Sequence, residues 1–200
     1  DGSLLAVGLV VAADGARSQL RELAGIASRS EPYDQNAVVA TVSAEQGNRS
    51  TAWQRFMRDG PLALLPLERD LFSIVWSTSP NEAARLCALP EDEFNGLLTE
   101  ASESRLGRLA VLSERAAFPL RLQHANKYVL PGLALVGDAA HVIHPLAGQG
   151  VNLGFLDAGA LVDALVAGRE RGRGPGALTS LRVYERSRRG HNTATQLAMD

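Results

Sequence analysis

Apolar positions in this chain recur with two periods, one helical and one of strand type. Leu4 to Ala13 is an apolar run that reads as a strand after a turn at Asp1-Gly2. Ser18 stands where an N-cap would, ahead of a short helix to Leu23 that Gly25 would close. Ala37 to Val42 and Ala63 to Leu67 read as strands, and Phe72 to Ser77 alternates as a half-buried strand does. Glu68-Arg69-Asp70 is the expected turn between the last two. Pro80 to Ala88 and Glu91 to Ser104 have helical spacing, with Pro90 between them. Arg115 to Leu122 reads as a further strand, and Leu133 to Val136 as a short buried one. From Val151 onward, Leu153, Leu156, Ala160, Leu161, Ala164 and Leu165 share one helical face, and that helix is expected to end near Gly168. Gly172 to Gly176 reads as a loop, and Ala177 to Met199 as a last helix.

This order predicts an α/β chain, α+β overall. Residues 30–119 look like a mainly antiparallel sheet with helices, interrupting an α/β domain made of 1–29 and 120–172. A C-terminal helix occupies 173–200. Two hundred residues with 46% hydrophobic content can bury a sizeable core, in one domain or two small ones. A net charge of −2 gives no electrostatic case for nucleic acid. The lone Cys87 excludes an internal disulfide framework and suits a reducing compartment. No apolar run approaches ~18 residues, so no bilayer-spanning segment is expected. Lys127 is the sole lysine among 20 basic residues, a compositional skew that carries no function.

Chemistry concentrates in residues 133–157. A short apolar run stops at Gly137-Asp138, a loop passes through Pro145 and Gly148-Gln149-Gly150, and a helical pattern opens at Val151. Strand, glycine loop and helix N-terminus together present unpaired backbone N–H groups to an anionic or electron-rich ligand. A carboxylate at the strand end suits a hydroxyl of the same ligand. In a dinucleotide fingerprint the glycines come first and the ribose-binding acid follows roughly 20 residues later. Here Asp138 precedes Gly148 by ten residues, the wrong order for a first βα turn. Glycines at 148, 150 and 154 alone would signify only a tight turn and close helix packing.

Taken with Gly137-Asp138-Ala139-Ala140-His141, Pro145, Asn152 and Asp157, they resemble the second flavin motif of the single-component FAD-dependent aromatic hydroxylases. Ala13-Asp14-Gly15-Ala16-Arg17-Ser18, with Arg21, is similar to that family's Ala-Asp-Gly motif, which sits between FAD and the path of NAD(P)H. Tyr33 to Val42, Thr51 to Leu67, Ser73 to Thr78 and Tyr184-Glu185-Arg186 with Arg188 resemble its ubiquinone-biosynthesis branch. Two departures stand out. Ala12-Ala13 occupies the place where the family usually shows Gly-Ala. The strand, G-x-G-x-x-G turn and helix that hold the adenosine end of FAD do not appear. The chain is therefore expected to be an internal piece, carrying the isoalloxazine side of the site without the adenine side.

The resemblance implies FAD as cofactor, NAD(P)H as co-substrate and hydroxylation of a small aromatic molecule, a prenylated phenol on the ubiquinone route. NAD(P)H reduces the flavin, O₂ adds to give a flavin hydroperoxide, and its distal oxygen passes to the ring. The resemblance implies cofactor binding by Asp14, Arg17, Gly137, Asp138, Pro145, Gly148, Gln149, Gly150, Val151 and Asn152. N–H groups at Gly150-Val151-Asn152 would face the flavin pyrimidine edge, where a helix N-terminus favours negative charge by about 0.3–1 kcal/mol, up to about 2 when partly buried. Asp138 would accept from the ribityl chain, or else cap the turn that follows it. Asp14 and Arg17 would hold the ribityl end and the nicotinamide, or else form an exposed acidic turn and a surface ion pair. Arg21 reads as structural.

His141 and His144 make an H-x-x-H pair with no third ligand, so no metal site is expected. His141 would fix the loop, and His144 and Pro145 would face flavin and substrate without acting as a catalytic base. His124 and His191 are expected at the surface, and Cys87 in the core. The substrate would lie against the sheet of Ala63–Leu67 and Phe72–Thr78, with Leu62, Leu64, Leu65, Phe72, Ile74 and Trp76 as candidate channel walls, although core packing is the better reading for any one of them. A halogenase or prenyl reductase of the same architecture, or a non-catalytic assembly module, are the alternatives. The branch resemblance also implies a bacterial, cytoplasmic protein, with peripheral attachment at the inner membrane, a biosynthetic complex or a homo-oligomer left open.

Overall fold

The structure, a computed structural model, describes residues 2–143 and 150–199, with side chains as far as Asn192. It divides into two compact units, Asp1–Glu31 with Arg121–Asp200, and Pro32–Leu120. The chain begins in the first with β1 (Val10–Ala12) and α1 (Gln19–Leu23). The short α1 is defined at both ends. The Ser18 hydroxyl accepts the Arg21 N–H at 2.9 Å, and Gly25 takes φ +66° beyond the last turn. β2 (Ser28–Ala44) then carries the chain into the second unit, followed by β3 (Trp53–Met57), β4 (Gly60–Pro66) and β5 (Leu71–Thr78).

The second unit is an antiparallel sheet in the order β2-β5-β4-β3. The β4–β5 turn falls at Glu68-Arg69-Asp70 as expected, with Arg69 and Asp70 left-handed at φ 57° and 60°. That conformation is uncommon for residues with a Cβ. Buried Asn48 holds it, donating from Nδ2 to Leu67 O at 2.6 Å and to Leu71 O at 2.9 Å. β3 escaped the apolar pattern because Trp53, Arg55 and Met57 share one face, mixing polar with apolar on an edge strand.

α2 (Pro80–Ala88) and α3 (Glu91–Ala101) follow, the first capped by the Ser79 hydroxyl on the Glu82 N–H at 3.3 Å. Ala83, Leu86, Phe94 and Leu98 pack into one core with Val38, Val42, Leu62, Leu64, Phe72 and Ile74. Alternate residues of a strand face opposite sides, so the helices cover one face of the sheet only. Leu62, Leu64, Phe72, Ile74 and Trp76 are therefore core, Trp76 lying 6.4 Å from the Phe94 ring. Of the candidate channel walls, Leu65 alone lies on the other face. Cys87 packs against the same core. β6 (Leu109–Val111) pairs with the end of β2, and β7 (Ala116–Ala125) leads back to the first unit.

There β8 (Val129–Leu130), β9 (Leu133–Leu135), a 3-10 turn at Gly137–Ala139, β10 (His141–Val142), α4 (Gly150–Glu170) and α5 (Leu178–Met199) complete the chain. β1 runs parallel to β9, with Val10 opposite Leu133 and Ala12 opposite Leu135, and β8 lies antiparallel on the other edge of β9. β1 is much shorter than its apolar run because this register spans three residues. Leu4 and Leu5, outside it, are 101% and 86% exposed. Ala12, Tyr128, Leu135, Leu161, Leu181 and Tyr184 belong to the core of this unit. α4 is long and apolar enough, by length and composition, to cross a bilayer, although Asn152, Asp157 and Asp163 break its apolar run. It packs along α5, burying Leu153, Leu161 and Ala164 and exposing Val151, Phe155, Val162 and Val166. The class is thus the expected one: an α/β unit with parallel strands beside an antiparallel α+β unit.

Candidate functional site

Two glycine-bearing segments meet at the ends of β1 and β9. Val136 donates its N–H to Ala12 O at 3.0 Å, so the chain leaves both strands side by side. Arg21, buried beneath them, donates to Ala139 O and to Ala16 O, each at 3.0 Å. Gln123 Nε2 adds a second bond to Ala16 O at 3.0 Å. Arg21 is therefore the structural tie between the Ala13–Ser18 segment and the Gly137–Ala139 turn. Gly137 adopts φ +57°, a left-handed value that a residue with a Cβ resists. The turn leaves Asp138 exposed.

Asp14 is exposed, and its carboxylate accepts the Leu20 N–H at 3.1 Å. A hydrogen bond from the Ser18 side chain, then the backbone N–H groups of α1, hold that carboxyl below the usual range. Arg17, three positions on, is exposed as well. Gly150, Val151 and Asn152 form the first turn of α4, where backbone N–H groups have no partner within the helix. Val151 is 64% exposed, and nothing among the described residues lies within 4 Å of a Cβ built on Gly150. His144, Pro145, Gly148 and Gln149 lie outside the described residues.

Behind the turn is a buried polar cluster, of which the sequence pointed to His141 and, as motif positions, to Asp157 and Arg188, but not to Asn192. Asp157 of α4 is fully buried. Its Oδ2 accepts the Gly137 N–H at 3.0 Å and His141 Nε2 at 2.6 Å, and its Oδ1 accepts Arg188 Nε at 2.7 Å. Burial opposes its charge. Hydrogen bonding and charge attraction from His141, then Arg188 and the Gly137 N–H, outweigh burial and hold the carboxyl below its ordinary value. Asn192 completes the cluster, accepting Arg188 Nη2 at 2.9 Å and donating to Asp157 Oδ1 at 3.4 Å. The signal in the sequence was helical spacing, since Arg188 and Asn192 are four apart on α5.

His124, expected at the surface, is half-buried. Its ring stacks on Tyr128 at 5.4 Å, and its Nε2 lies 2.9 Å from the Tyr128 hydroxyl. Burial, then the charges of His141 and Arg189, lower its pKa to about 4, so the ring shares this hydrogen bond in its neutral form. Burial pushes the Tyr128 and Tyr184 hydroxyls upward. His191 is exposed as expected. Among the described residues no three His, Cys, Asp or Glu side chains gather as a metal site.

The family described as FAD binding domain matches residues 5–198. This chain belongs to the FAD binding domain family. The Mus musculus protein named ubiquinone biosynthesis monooxygenase COQ6, mitochondrial, is 43% identical over 234 residues, covering 100% of this chain and 49% of the mouse protein. The Escherichia coli protein named 3-demethoxyubiquinol 3-hydroxylase is 42% identical over 199 residues, covering 100% of this chain and 51% of its own length. The crystal structure of PqsL, a probable FAD-dependent monooxygenase from Pseudomonas aeruginosa, superposes with a TM-score of 0.76 at 27% identity, over 93% of this chain and 52% of that one. The chain spans about half the length of the curated relatives it matches. Relatives in mouse and in a bacterium match about equally, so nothing favours a bacterial source.

The described residues fit the ligand of the FAD binding domain family. An exposed carboxylate, Asp138, stands on a turn fixed by glycine. The first turn of α4 offers N–H groups beside the open space at Gly150. Donors for an electron-rich ring and an acceptor for hydroxyls are the chemistry a flavin and its ribityl chain require.

Proposed function

We propose that this protein is an FAD-dependent monooxygenase that hydroxylates the aromatic ring of a prenylated phenol in ubiquinone biosynthesis, with NAD(P)H and O₂ as co-substrates. The observation that carries the reading is the Gly137-Asp138 turn, exposed at its acid and fixed from behind, in a chain 43% identical to a protein named ubiquinone biosynthesis monooxygenase and 42% identical to one named 3-demethoxyubiquinol 3-hydroxylase. FAD, when bound, supplies the redox chemistry, and the protein orients the reactants and excludes water. Asp138 accepts hydrogen bonds from the ribityl hydroxyls. The N–H groups of Gly150, Val151 and Asn152 favour electron density at the flavin edge. Asp14 and Arg17, with His144, Pro145, Gly148 and Gln149, complete the proposed cofactor contacts.

In this reading the first unit carries the cofactor and the second carries the substrate. The substrate platform is the face of the sheet without helices. There Val39, Val75 and Ala63 form one row, and Thr41, Ser73 and Leu65 form the next. These are apolar and hydroxyl-bearing residues, half-buried except for the buried Ala63, which suit a flat ring with a polar substituent. A prenyl tail partitions into bilayers, so work at a membrane surface is part of the proposal.

The test is an FAD titration by fluorescence quenching, followed by NAD(P)H oxidation on addition of prenylated phenols. Binding that weakens in Asp138→Ala, with oxidation stimulated by the phenol, is the expected result. Failure to bind FAD would remove the basis of the reading. Binding with no response to any phenol would leave a flavoprotein of another activity.

A further inference from the structure

Helix α5 makes a row of contacts, within two turns, that all reach the segment leading into the Gly137-Asp138 turn. The Tyr184 hydroxyl donates to Leu135 O, at the end of β9, at 2.6 Å. Glu185 Oε1 accepts the Tyr128 N–H at 2.8 Å, beside β8. Arg188 Nε donates to Asp157 Oδ1 at 2.7 Å, and Arg189 Nη1 donates to Asn126 O at 2.7 Å. Positions 184 and 188 lie one turn apart on a helix, as do 185 and 189. Asp157 passes the contact on, because its other oxygen accepts the Gly137 N–H and His141 Nε2. None of these side chains is among the proposed flavin contacts. Gly137, which Asp157 holds through its backbone N–H, belongs to the proposed cofactor set with Asp138.

We infer that Arg188, acting through Asp157, is the positioning residue of the flavin turn, so that α5 sets flavin affinity without touching flavin. The inference rests on the proposed role of Asp138. The physical argument concerns what happens when one member of the cluster is removed. A fully buried carboxylate is tolerated only while it is paired, and taking away the Arg188 guanidinium leaves His141 as its remaining side-chain ion-pair partner. The carboxylate must then take up a proton, draw in water or move. Each response alters the acceptor for the Gly137 N–H. Gly137, at φ +57° and without a Cβ, has many other conformations open to it once that bond loosens, so the orientation of Asp138 changes with it. Tyr184 works on the same segment two residues upstream, through Leu135 O, and Glu185 fixes β8 against the same helix.

The experiment is a double-mutant cycle read by FAD fluorescence titration, on the wild type, Asp138→Ala, Arg188→Met and the double variant. Thermal unfolding without FAD runs beside it. Arg188→Met is expected to weaken FAD binding about ten- to a hundredfold, the range seen when groups one layer behind metal ligands are removed. Arg188→Lys is expected to recover part of the loss. The double variant is expected to bind no more weakly than Asp138→Ala alone, because Arg188 has nothing left to position. Losses that multiply show that Arg188 acts on general stability, and overturn the inference. Wild-type affinity in Arg188→Met overturns it also. Should Arg188→Met fail to fold, Tyr184→Phe keeps the ring, removes only the bond to Leu135 O, and closes the same cycle with the same two outcomes. Wild-type affinity in Asp138→Ala overturns the proposed flavin contact instead, and so separates the failure of that reading from the failure of this one.

Discussion

Gly154 of α4 lies directly against Gly137: a methyl group built on Gly154 would stand 3.4 Å from the Gly137 Cα, and one built on Gly137 would stand 3.6 Å from the Gly154 Cα. Helix and turn thus meet backbone to backbone, which keeps the Gly137 N–H within reach of Asp157. The two glycines are not equivalent. Gly154 is helical, and the added methyl would only reach ordinary contact. Gly154→Ala is therefore expected within about 1 kcal/mol of the wild type, its better helix propensity offsetting the tighter fit. Gly137→Ala forces a side chain into left-handed backbone and is expected to cost about 1–2 kcal/mol. Urea unfolding of the two variants measures both, and equal losses would contradict the assignment.

Ser180 on α5 has the one buried side-chain oxygen among the described residues without a hydrogen bond. It sits against Gly168, where a methyl group would run into it. Ser180→Ala removes an unpaired hydroxyl and keeps the shape, so a gain of about 1 kcal/mol is expected. Gly168→Ala should instead lose about 1–3 kcal/mol by overpacking α4 against α5. A loss of stability in Ser180→Ala would show that the hydroxyl has a partner after all.

Local signals in the sequence were read most reliably. Ser18 with Gly25, the helix start at Pro80, and the turn at Glu68-Arg69-Asp70 all fall where the local pattern put them. The glycine loop and the acid at position 138 were legible because their order along the chain is itself chemical information. What was not legible depended on partners far away in the chain. Leu4 to Ala13 looked like one strand, yet the pairing available on β9 limits it to three residues. Leu62, Phe72 and Ile74 could not be assigned to core or channel without knowing which face α2 and α3 cover. His124 looked like a surface residue because its partner Tyr128 gave no pattern in the sequence. Asp157 was seen as a motif position, while its ion pair joins residues 31 apart.

Gly176 illustrates the same limit, since the run Gly172 to Gly176 reads as a flexible loop. A methyl group on Gly176 would collide with Gly8 O and stand 2.9 Å from the Gly132 Cα. Its own carbonyl accepts the Gly132 N–H at 3.0 Å, and Gly132 O accepts the Val10 N–H at 2.8 Å. The loop is a backbone junction that seats β1. Gly176→Ala is expected to cost about 1–3 kcal/mol, whereas Gly174→Ala, with open space around it, should change little. Similar losses at both positions in thermal unfolding would refute the distinction.

His124 gives the fold an acid-sensitive point. Its pKa falls from 6.5 to about 4, first by burial and then by the nearby charges of His141 and Arg189. The folded state therefore takes up this proton less readily than the unfolded chain. Above pH 6.5 both states are neutral at this site and stability is unaffected. As pH falls from 6.5 toward 4 the unfolded chain protonates first, so stability drops, and the full penalty is present below about 4. At about 1.4 kcal/mol per pKa unit the limit is on the order of 3 kcal/mol, and partial exposure of the ring reduces it to roughly 1–2 kcal/mol. Asp157, held below the ordinary carboxylate value, loses its contribution only at lower pH, so the two windows separate. His124→Gln cannot titrate and keeps a hydrogen-bond partner for the Tyr128 hydroxyl. Its stability is expected to fall less than that of the wild type between pH 6.5 and 4, by the amount given above. Parallel curves for the two proteins would mean that His124 meets the same environment folded and unfolded, and that its stacking on Tyr128 does not desolvate it.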